Sequence, residues 1–481
     1  MPQLLESQPG PRYWRCLTHD MTTLRITAAR IGLLLAGLLA STATADAQGL
    51  PDLGVSGRTV WLSAGGDSTL GWAYVDVPET GDEELFAVYV PGTPMAEERP
   101  LLVCFHAYGQ SHADIVYNTN YFREARTRGW FAIAPVQYGG PGGLWDKSFG
   151  SVASQHHVEA VLRFVLNTYP VDRDRIYGVG FSMGGGNAMS YAARHRNRQK
   201  GAFAAVLNHT GSVALTDVYQ ESTQQVRTNM ETLFFGSPMQ TPFEWTRSSS
   251  IVLDSSGHLV PGADHMAVNL SGTSIRSVYG AADPTYLVNQ TDRLDQLYTA
   301  LLGSSSMHEL VVLPPVSCGA HCWETLDEAE ACDWLGMHTL DDNPAEGIVL
   351  VDRRSRWGRF GVVPNTTGEF AGFEFQIEAL SNQLNLTEIH NVRDITLGLG
   401  ELGLDPLLPV TLGLGTTDPN GSSVVIHSVA NRPILVLRGS TWLSENCSGT
   451  GAPTWCYSAA DQELHINEPG GSGTQSWLVT F

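Results

Sequence analysis

Between residues 57 and 100, apolar and polar side chains alternate in three short runs, TVWLSAGG, GWAYVDVP and LFAVYVP. A repeat of two sets alternate residues on one face, so these runs predict antiparallel strands with one covered side. The texture changes at Leu101. PLLVCFHAYGQS is apolar with hardly a break and ends in a glycine loop, the pattern of a strand buried on both faces. A helix is expected near Phe122–Arg128, and WFAIAPVQ reads as a second buried strand. In SQHHVEAVLRFVLNTYP, the residues Val158, Val161, Leu162, Val165, Leu166 and Tyr169 recur at helical spacing until Pro170 stops the run. DRIYGVGFS is then a strand, GGGNAMSYAARH a helix and AFAAVLNH a strand, with SIRSVYG and HELVVLPP following. Such alternation predicts an α/β domain, a mostly parallel sheet with helices on both faces.

The rhythm fails over about residues 211–270, where periodicity is weak and Phe234, Phe235, Phe243 and Trp245 are scattered. A stretch of that length inside a domain is usually functional, so a lid-like insertion over the sheet is expected. LDDNPAEG, Leu340 to Gly347, is a turn-rich break. Beyond it only strand-like segments follow, which predicts an all-β accessory domain over 341–481, most simply a sandwich. The pentapeptide TLGLG, at 396–400 and 411–415, reads as two similar strands. If these strands build their own core, a chain cut near Gly347 should keep a folded catalytic part.

From Met21 the chain reads MTTLRITAARIGLLLAGLLASTATADAQG. Arg25 and Arg30 precede an apolar run from Ile31 to Ala40, and Ala45-Asp46-Ala47 forms a small-residue cleavage site. Residues 1–47 therefore read as a secretory signal peptide, leaving 48–340 as the catalytic domain. The apolar run is shorter than the roughly 20 residues needed to span a bilayer, so the mature chain is expected to be secreted, extracellular or periplasmic, and free of the membrane. The 481 residues carry 28 basic against 49 acidic side chains, a net charge of −21, with Lys147 and Lys200 the only lysines. That balance argues against nucleic acid or an anionic membrane as partner. It leaves the oligomeric state open.

The chemistry gathers around IYGVGFSMGGGN, Ile176 to Asn187. A buried strand precedes Ser182 and a helix follows it, the setting of a nucleophile elbow. Gly180 and Gly184 leave room for a sharp turn, and Ser182 is lifted to the positive end of a helix. A serine needs a base, and the base needs a carboxylate to hold its tautomer. Asp283 follows the strand SIRSVYG, at the carboxyl edge where sites in open sheets gather, and Asp292 and Asp295 are its rivals on the helical QTDRLDQLY. His321 lies in VSCGAHCW, on a loop before a helix. The amide of Met183, next after the nucleophile, is a candidate oxyanion donor. His106 reads as a structural histidine.

CGAHC also admits a zinc reading through Cys318, His321, Cys322 and Cys332, but an exported chain favours disulfides, and no metal or other cofactor is expected. Cys447 and Cys456 enclose a short glycine- and proline-bearing loop and are expected to pair. Cys104, inside a core strand, reads as a buried thiol, which leaves one pair and one free cysteine among Cys318, Cys322 and Cys332.

HAYGQS, YPVDRDRIYGVGFSMGGG and HCWETLDEAEACDWL together resemble the secreted α/β-hydrolase esterases: polyhydroxyalkanoate depolymerases, feruloyl esterases and prolyl-oligopeptidase-like esterases. The resemblance covers about residues 80–340. It implies an α/β-hydrolase fold, a Ser182–His321–Asp283 triad and the Tyr108 amide as second oxyanion donor. Ala107 stands where these esterases usually carry glycine, although backbone donation does not require it. The expected activity is hydrolysis of carboxylic esters, polymeric ones among them. Phe181, Tyr108, Tyr138, Trp145 and Trp323 flank the motifs and are expected to line an apolar cleft. An ungated serine peptidase of the prolyl oligopeptidase type and an extracellular polyester depolymerase are the alternatives. A gating propeller needs at least four blades of about 40 residues, more than precede the core. A catalytically silent polymer-binding protein is a rival of another class, which the complete Ser, Asp and His set disfavours.

Overall fold

Residues 60–63, 68–92, 97–137, 147–303, 307–315, 321–341, 343–448, 452–471 and 473–481 are described by a computed structural model. Among them nine strands make a central sheet: β1 (Val60–Ser63), β2 (Thr69–Val77), β3 (Asp82–Val90), β4 (Arg99–Phe105), β5 (Phe131–Pro135), β6 (Val171–Phe181), β7 (Ala205–His209), β8 (Ser274–Gly280) and β9 (His308–Leu313). Their spatial order is β1-β2-β3-β5-β4-β6-β7-β8-β9. The pairs β1/β2, β2/β3 and β3/β5 are antiparallel, and every pair from β5 to β9 is parallel. The alternating runs thus form the antiparallel edge and the continuous apolar runs the parallel part. After β4 the chain steps outward to β5, then crosses back to β6. The carboxyl ends of β4 and β6 therefore flank the point where the order reverses, the usual place for a site in an open sheet. This order, with a serine at the sharp turn out of β6, is the α/β-hydrolase fold.

Period two decides which helix covers which face. Leu102 and Cys104 join Tyr177, Val179 and Leu207 in one core with α1 (His112–Asn118) and α2 (Tyr121–Arg128). Phe105 faces the other way, onto Tyr191 of the helix after Ser182, and Phe86 meets Phe164 of α3 (Val152–Thr168). Local sequence sets the helix ends. Ser111 caps α1 in a capping box with Asp114, Ser151 caps α3 through the Ser154 amide, and Gly129 closes α2 at φ 69°. Met183–Arg194 forms α4.

The segment after β7 is helical: α5 (Leu215–Glu221), α6 (Gln224–Leu233) and α7 (Pro242–Ser248). Their apolar sides close on Met183 and Phe149 in a cluster with Leu215, Val218, Met230 and Trp245. The insertion thus sits beside the nucleophile turn. The helix α8 (Thr285–Leu302) follows β8, and α9 (Glu328–Leu335), capped by Asp327, follows β9.

Beyond Pro344 the described residues hold two further sheets. The strands are β10 (Glu346–Val351), β11 (Ser355–Trp357), β12 (Phe360–Pro364), β13 (Ala371–Glu378), β14 (Gln383–His390), β15 (Val392–Gly398), β16 (Val410–Thr416), β17 (Ser422–His427), β18 (Leu435–Arg438), β19 (Thr441–Trp442), β20 (Thr454–Ser458), β21 (Glu463–Glu468) and β22 (Gly473–Thr480). One sheet runs β10-β13-β14-β16-β22-β18-β19 and the other β11-β12-β15-β17-β21-β20. One apolar core fills the space between them, with Phe373, Leu386 and Trp477 from the first sheet and Phe360, Ile395 and Ile466 from the second. The two TLGLG segments end up apart, the first reaching from β15 into the turn after it and the second in β16, on opposite sheets.

This region is joined to the catalytic sheet by buried polar contacts. The Asp352 carboxylate takes two hydrogen bonds from Arg194, at the end of α4, and an ion pair from Arg247 of α7 at 2.8 Å. Arg194 and Asp352 side chains are 3% and 1% exposed. Asn269 donates to the carbonyls of Ala193 and Leu350 and accepts from the Leu350 amide. Burial pulls the Arg194 guanidinium down to about 10, which leaves it charged at neutral pH. Burial alone would raise Asp352, yet the charges of Arg194 and Arg247 hold it below the ordinary carboxylate value. The described residues from Val60 onward accordingly make up one compact unit.

Candidate active site

Ser182 stands between β6 and α4 with φ 56° and ψ −121°, a conformation that costs a non-glycine residue strain. The surroundings hold it there. Its N–H donates to the His209 carbonyl at 2.9 Å, and its carbonyl accepts from the amides of Gly186 and Ser212. A Cβ at Gly180 would run into the Gly184 carbonyl, and one at Gly184 into the carbonyls of Phe105 and His106. The glycines therefore let α4 start hard against β4 and β6. Met183 opens that helix, so its N–H is among the first-turn amides without an intrahelical partner.

Asp283 lies just past β8, with its side chain 1% exposed. Its Oδ1 accepts from His321 Nδ1 at 2.6 Å, and its Oδ2 accepts from the Thr210 hydroxyl at 2.8 Å and the Gly280 amide at 2.6 Å. Burial pushes this carboxyl up, but the hydrogen bond and charge of His321, with the Thr210 and Gly280 donors, bring it below the ordinary value. The His321 side chain is 26% exposed, and its ring lies 4.4 Å from that of Phe181, the residue before the nucleophile. The Asp283 bond fixes the Nδ1–H tautomer and leaves Nε2 free to take a proton. Asp292 instead accepts from the Tyr279 hydroxyl, and Asp295 pairs with His308. The structure thus brings Asp283, His321 and Ser182 to one edge of the sheet and leaves the rival carboxylates elsewhere.

The loop expected to carry the second oxyanion donor follows β4. His106 is fully buried between the carbonyls of Ala107 and Val136, at 2.9 and 2.6 Å from its ring nitrogens. Gly109 takes φ 75°, and Gln110 closes the turn by donating its amide to Ala107 O and accepting from Ala107 N. The Gln110 side chain is in turn held by the Trp323 indole at 3.0 Å.

No protein-family model and no curated protein matches the chain. Among solved structures, it is similar to an S-formylglutathione hydrolase from Agrobacterium tumefaciens, with 15% identity over 58% of this chain and 98% of that one at a TM-score of 0.40. A ferulic acid esterase matches with 15% identity over 56% of this chain and 96% of its own, TM-score 0.39. A putative dipeptidyl aminopeptidase IV from Bacteroides ovatus matches with 12% identity over 58% of this chain and 35% of its own, TM-score 0.41. The fold assignment rests on the strand order and the Ser182 turn of this chain.

Two expected cleft residues have another place. Phe181 and Trp323 are 5% and 6% exposed, and their rings pack on one another and on His209. Phe181 also packs on the His321 ring, and neither residue is free cleft wall. Tyr108 is half-buried against Phe149. Tyr138, Trp145 and Cys318 lie outside the described residues.

The sequence reading missed Thr210 and His209. Thr210 takes φ 48° and gives Asp283 its second side-chain hydrogen bond. Burial pulls His209 down to about 3, so it stays neutral, with Nε2 2.7 Å from the Thr325 hydroxyl. Their position at the carboxyl end of a predicted parallel strand was the available signal.

Cys447 and Cys456 form a disulfide, Cys322 is disulfide-bonded, and Cys104 and Cys332 are buried thiols. Burial pushes Cys332 up to about 12. With Cys322 oxidised and His321 bonded to Asp283, two of the four donors of the zinc reading are otherwise engaged. The group Glu445, Cys447 and Cys456 has both sulfurs tied up in the disulfide.

Proposed function

We propose that this chain is a secreted serine hydrolase of carboxylic esters, working through an acyl-enzyme. The observation that carries the reading is the 2.6 Å bond from His321 to the buried Asp283, with the His321 ring against Phe181, next to a serine held at φ 56°. The Ser182 hydroxyl would attack the acyl carbon while His321 Nε2 takes its proton. Asp283 stabilises the imidazolium so formed, and the N–H groups of Met183 and Tyr108 donate hydrogen bonds to the developing oxyanion. The imidazolium then protonates the departing alcohol. Water, deprotonated by the same nitrogen, releases the acid and restores Ser182. No step calls for a cofactor. Secretion is supported by the leader-like residues 21–47 and by the disulfides.

The test is a panel of nitrophenyl esters of graded chain length, a feruloyl ester, a polyester film and a prolyl anilide. Ester cleavage with a burst of one nitrophenol per chain is expected. Turnover of the anilide without the esters would overturn the ester reading in favour of a peptidase, and film erosion would place the substrate among polyesters.

A further inference from the structure

The oxyanion loop is anchored unevenly. His106 is fixed to Val136, and Ala107 is tied to Gln110, which Trp323 holds. All these anchors belong to the catalytic body. Between them lies Tyr108, whose backbone N–H is the proposed donor and whose hydroxyl reaches the insertion. Its hydroxyl accepts a hydrogen bond from Asn229 Nδ2 at 2.9 Å, and its ring lies 5.4 Å from Phe149 and 5.8 Å from Lys147 Nζ. Asn229 is on α6, in the insertion, and is itself buried, with Oδ1 held by Gln225 at 3.2 Å. Met230, the next residue, is fully buried in the cluster that contains Met183, the other proposed donor.

We infer that the Asn229–Tyr108 hydrogen bond is a latch through which the insertion sets the oxyanion loop, making Asn229 and the Tyr108 hydroxyl positioning groups. A side chain pinned at its far end restricts the φ and ψ of its own residue. The direction of the Tyr108 N–H then depends on where α6 sits. Freed from Asn229, the ring gains rotamer freedom, and the amide no longer waits at the position the oxyanion will occupy; such preorganisation is where oxyanion donors have their effect. The inference rests on the serine hydrolase reading of the same site.

Tyr108→Phe removes one oxygen and keeps the ring packing, so folding is not at risk. It is expected to lower kcat on a soluble nitrophenyl ester about tenfold, with KM within twofold, a fraction of the loss seen when a whole oxyanion donor is removed. Affinity for phenylboronic acid, whose serine adduct places an oxygen in the same hole, should fall by the same factor. Asn229→Leu should give the same loss, and the double variant no more than either single one, because both remove the same bond. Parental kcat in Tyr108→Phe overturns the latch. So does a double variant whose losses multiply, or a change confined to KM. Ser182→Ala separates the two ideas: if that variant keeps full activity, the hydrolase assignment itself is wrong. If it is dead while Tyr108→Phe is unchanged, only the latch is.

Discussion

The central sheet and the two C-terminal sheets differ in what gathers at their most buried parts. Between the C-terminal sheets the core is a single apolar cluster running from Val349 to Val479. At the carboxyl edge of the central sheet, His209, Thr210, Asp283 and His106 are all buried, and Ser182 and Thr210 have positive φ. A polar group removed from water costs free energy unless it is bonded, so buried polar density at one edge marks where the chain has stability to spare for chemistry. The seam teaches a second lesson. Asp352 belongs to the C-terminal region, but its partners Arg194 and Arg247 belong to the catalytic one.

The largest effect is expected at the catalytic edge. Asp283→Asn turns an acceptor toward His321 into a donor, and kcat should fall about 10⁴-fold, as for a comparable tautomer error elsewhere. An ester assay on purified variant protein decides it; activity within tenfold of the parent would reduce Asp283 to a turn residue.

Next comes the seam. Asp352→Ala leaves Arg194 buried without its counter-ion, while Arg247 keeps Glu244, and should cost about 3–5 kcal/mol in chemical denaturation. A chain cut near Gly347 loses Asp352 and Leu350 together, so the catalytic part should not fold alone, contrary to the expectation from its sequence. A soluble, active truncation would mean that the contrast between the regions is one of separate domains after all.

A smaller effect is expected from pH. The His209 imidazole, held down to about 3 by burial against an ordinary 6.5, stays neutral in the fold while the unfolded chain takes up a proton. Stability contributed there should fall as pH drops from about 6.5 toward 3. Glu328, pushed up to about 7 by burial, acts in the opposite direction, since between about 4.5 and 7 the folded state holds the extra proton. His209→Gln should therefore flatten the acid limb of a plot of Tm against pH; an unchanged limb would show that His209 is not a source of the loss. The smallest effect belongs to Asp292→Asn, since Asp292 accepts from the Tyr279 hydroxyl away from His321, and the change should leave kcat within a few-fold. A crippled Asp292→Asn would put the acid of the site on α8.

Much of the central sheet was legible because strands buried on both faces leave continuous apolar runs, such as PLLVCF, in the sequence. The Ser182 turn was legible because its close approaches exclude any Cβ, and Asp283 because it follows its strand directly. The helices α5, α6 and α7 were not. They span seven, ten and seven residues, too short for periodicity to show, and α5 and α7 begin at Ala214 and Thr241 without a side-chain cap. Phe181 and Trp323 carried the same letters whether wall or core, and only burial separates the two. The Asp352–Arg194 pair spans 158 positions, beyond any local pattern.

The central claim is that Ser182 is the nucleophile, and covalent labelling tests it most directly. The parent protein is treated with a fluorophosphonate, digested, and the adduct located by mass spectrometry, beside Ser182→Ala of matched Tm. The account predicts one adduct, on the peptide that carries Ser182, and none in the variant. An unlabelled parent, an adduct on another residue, or undiminished labelling of Ser182→Ala would contradict it.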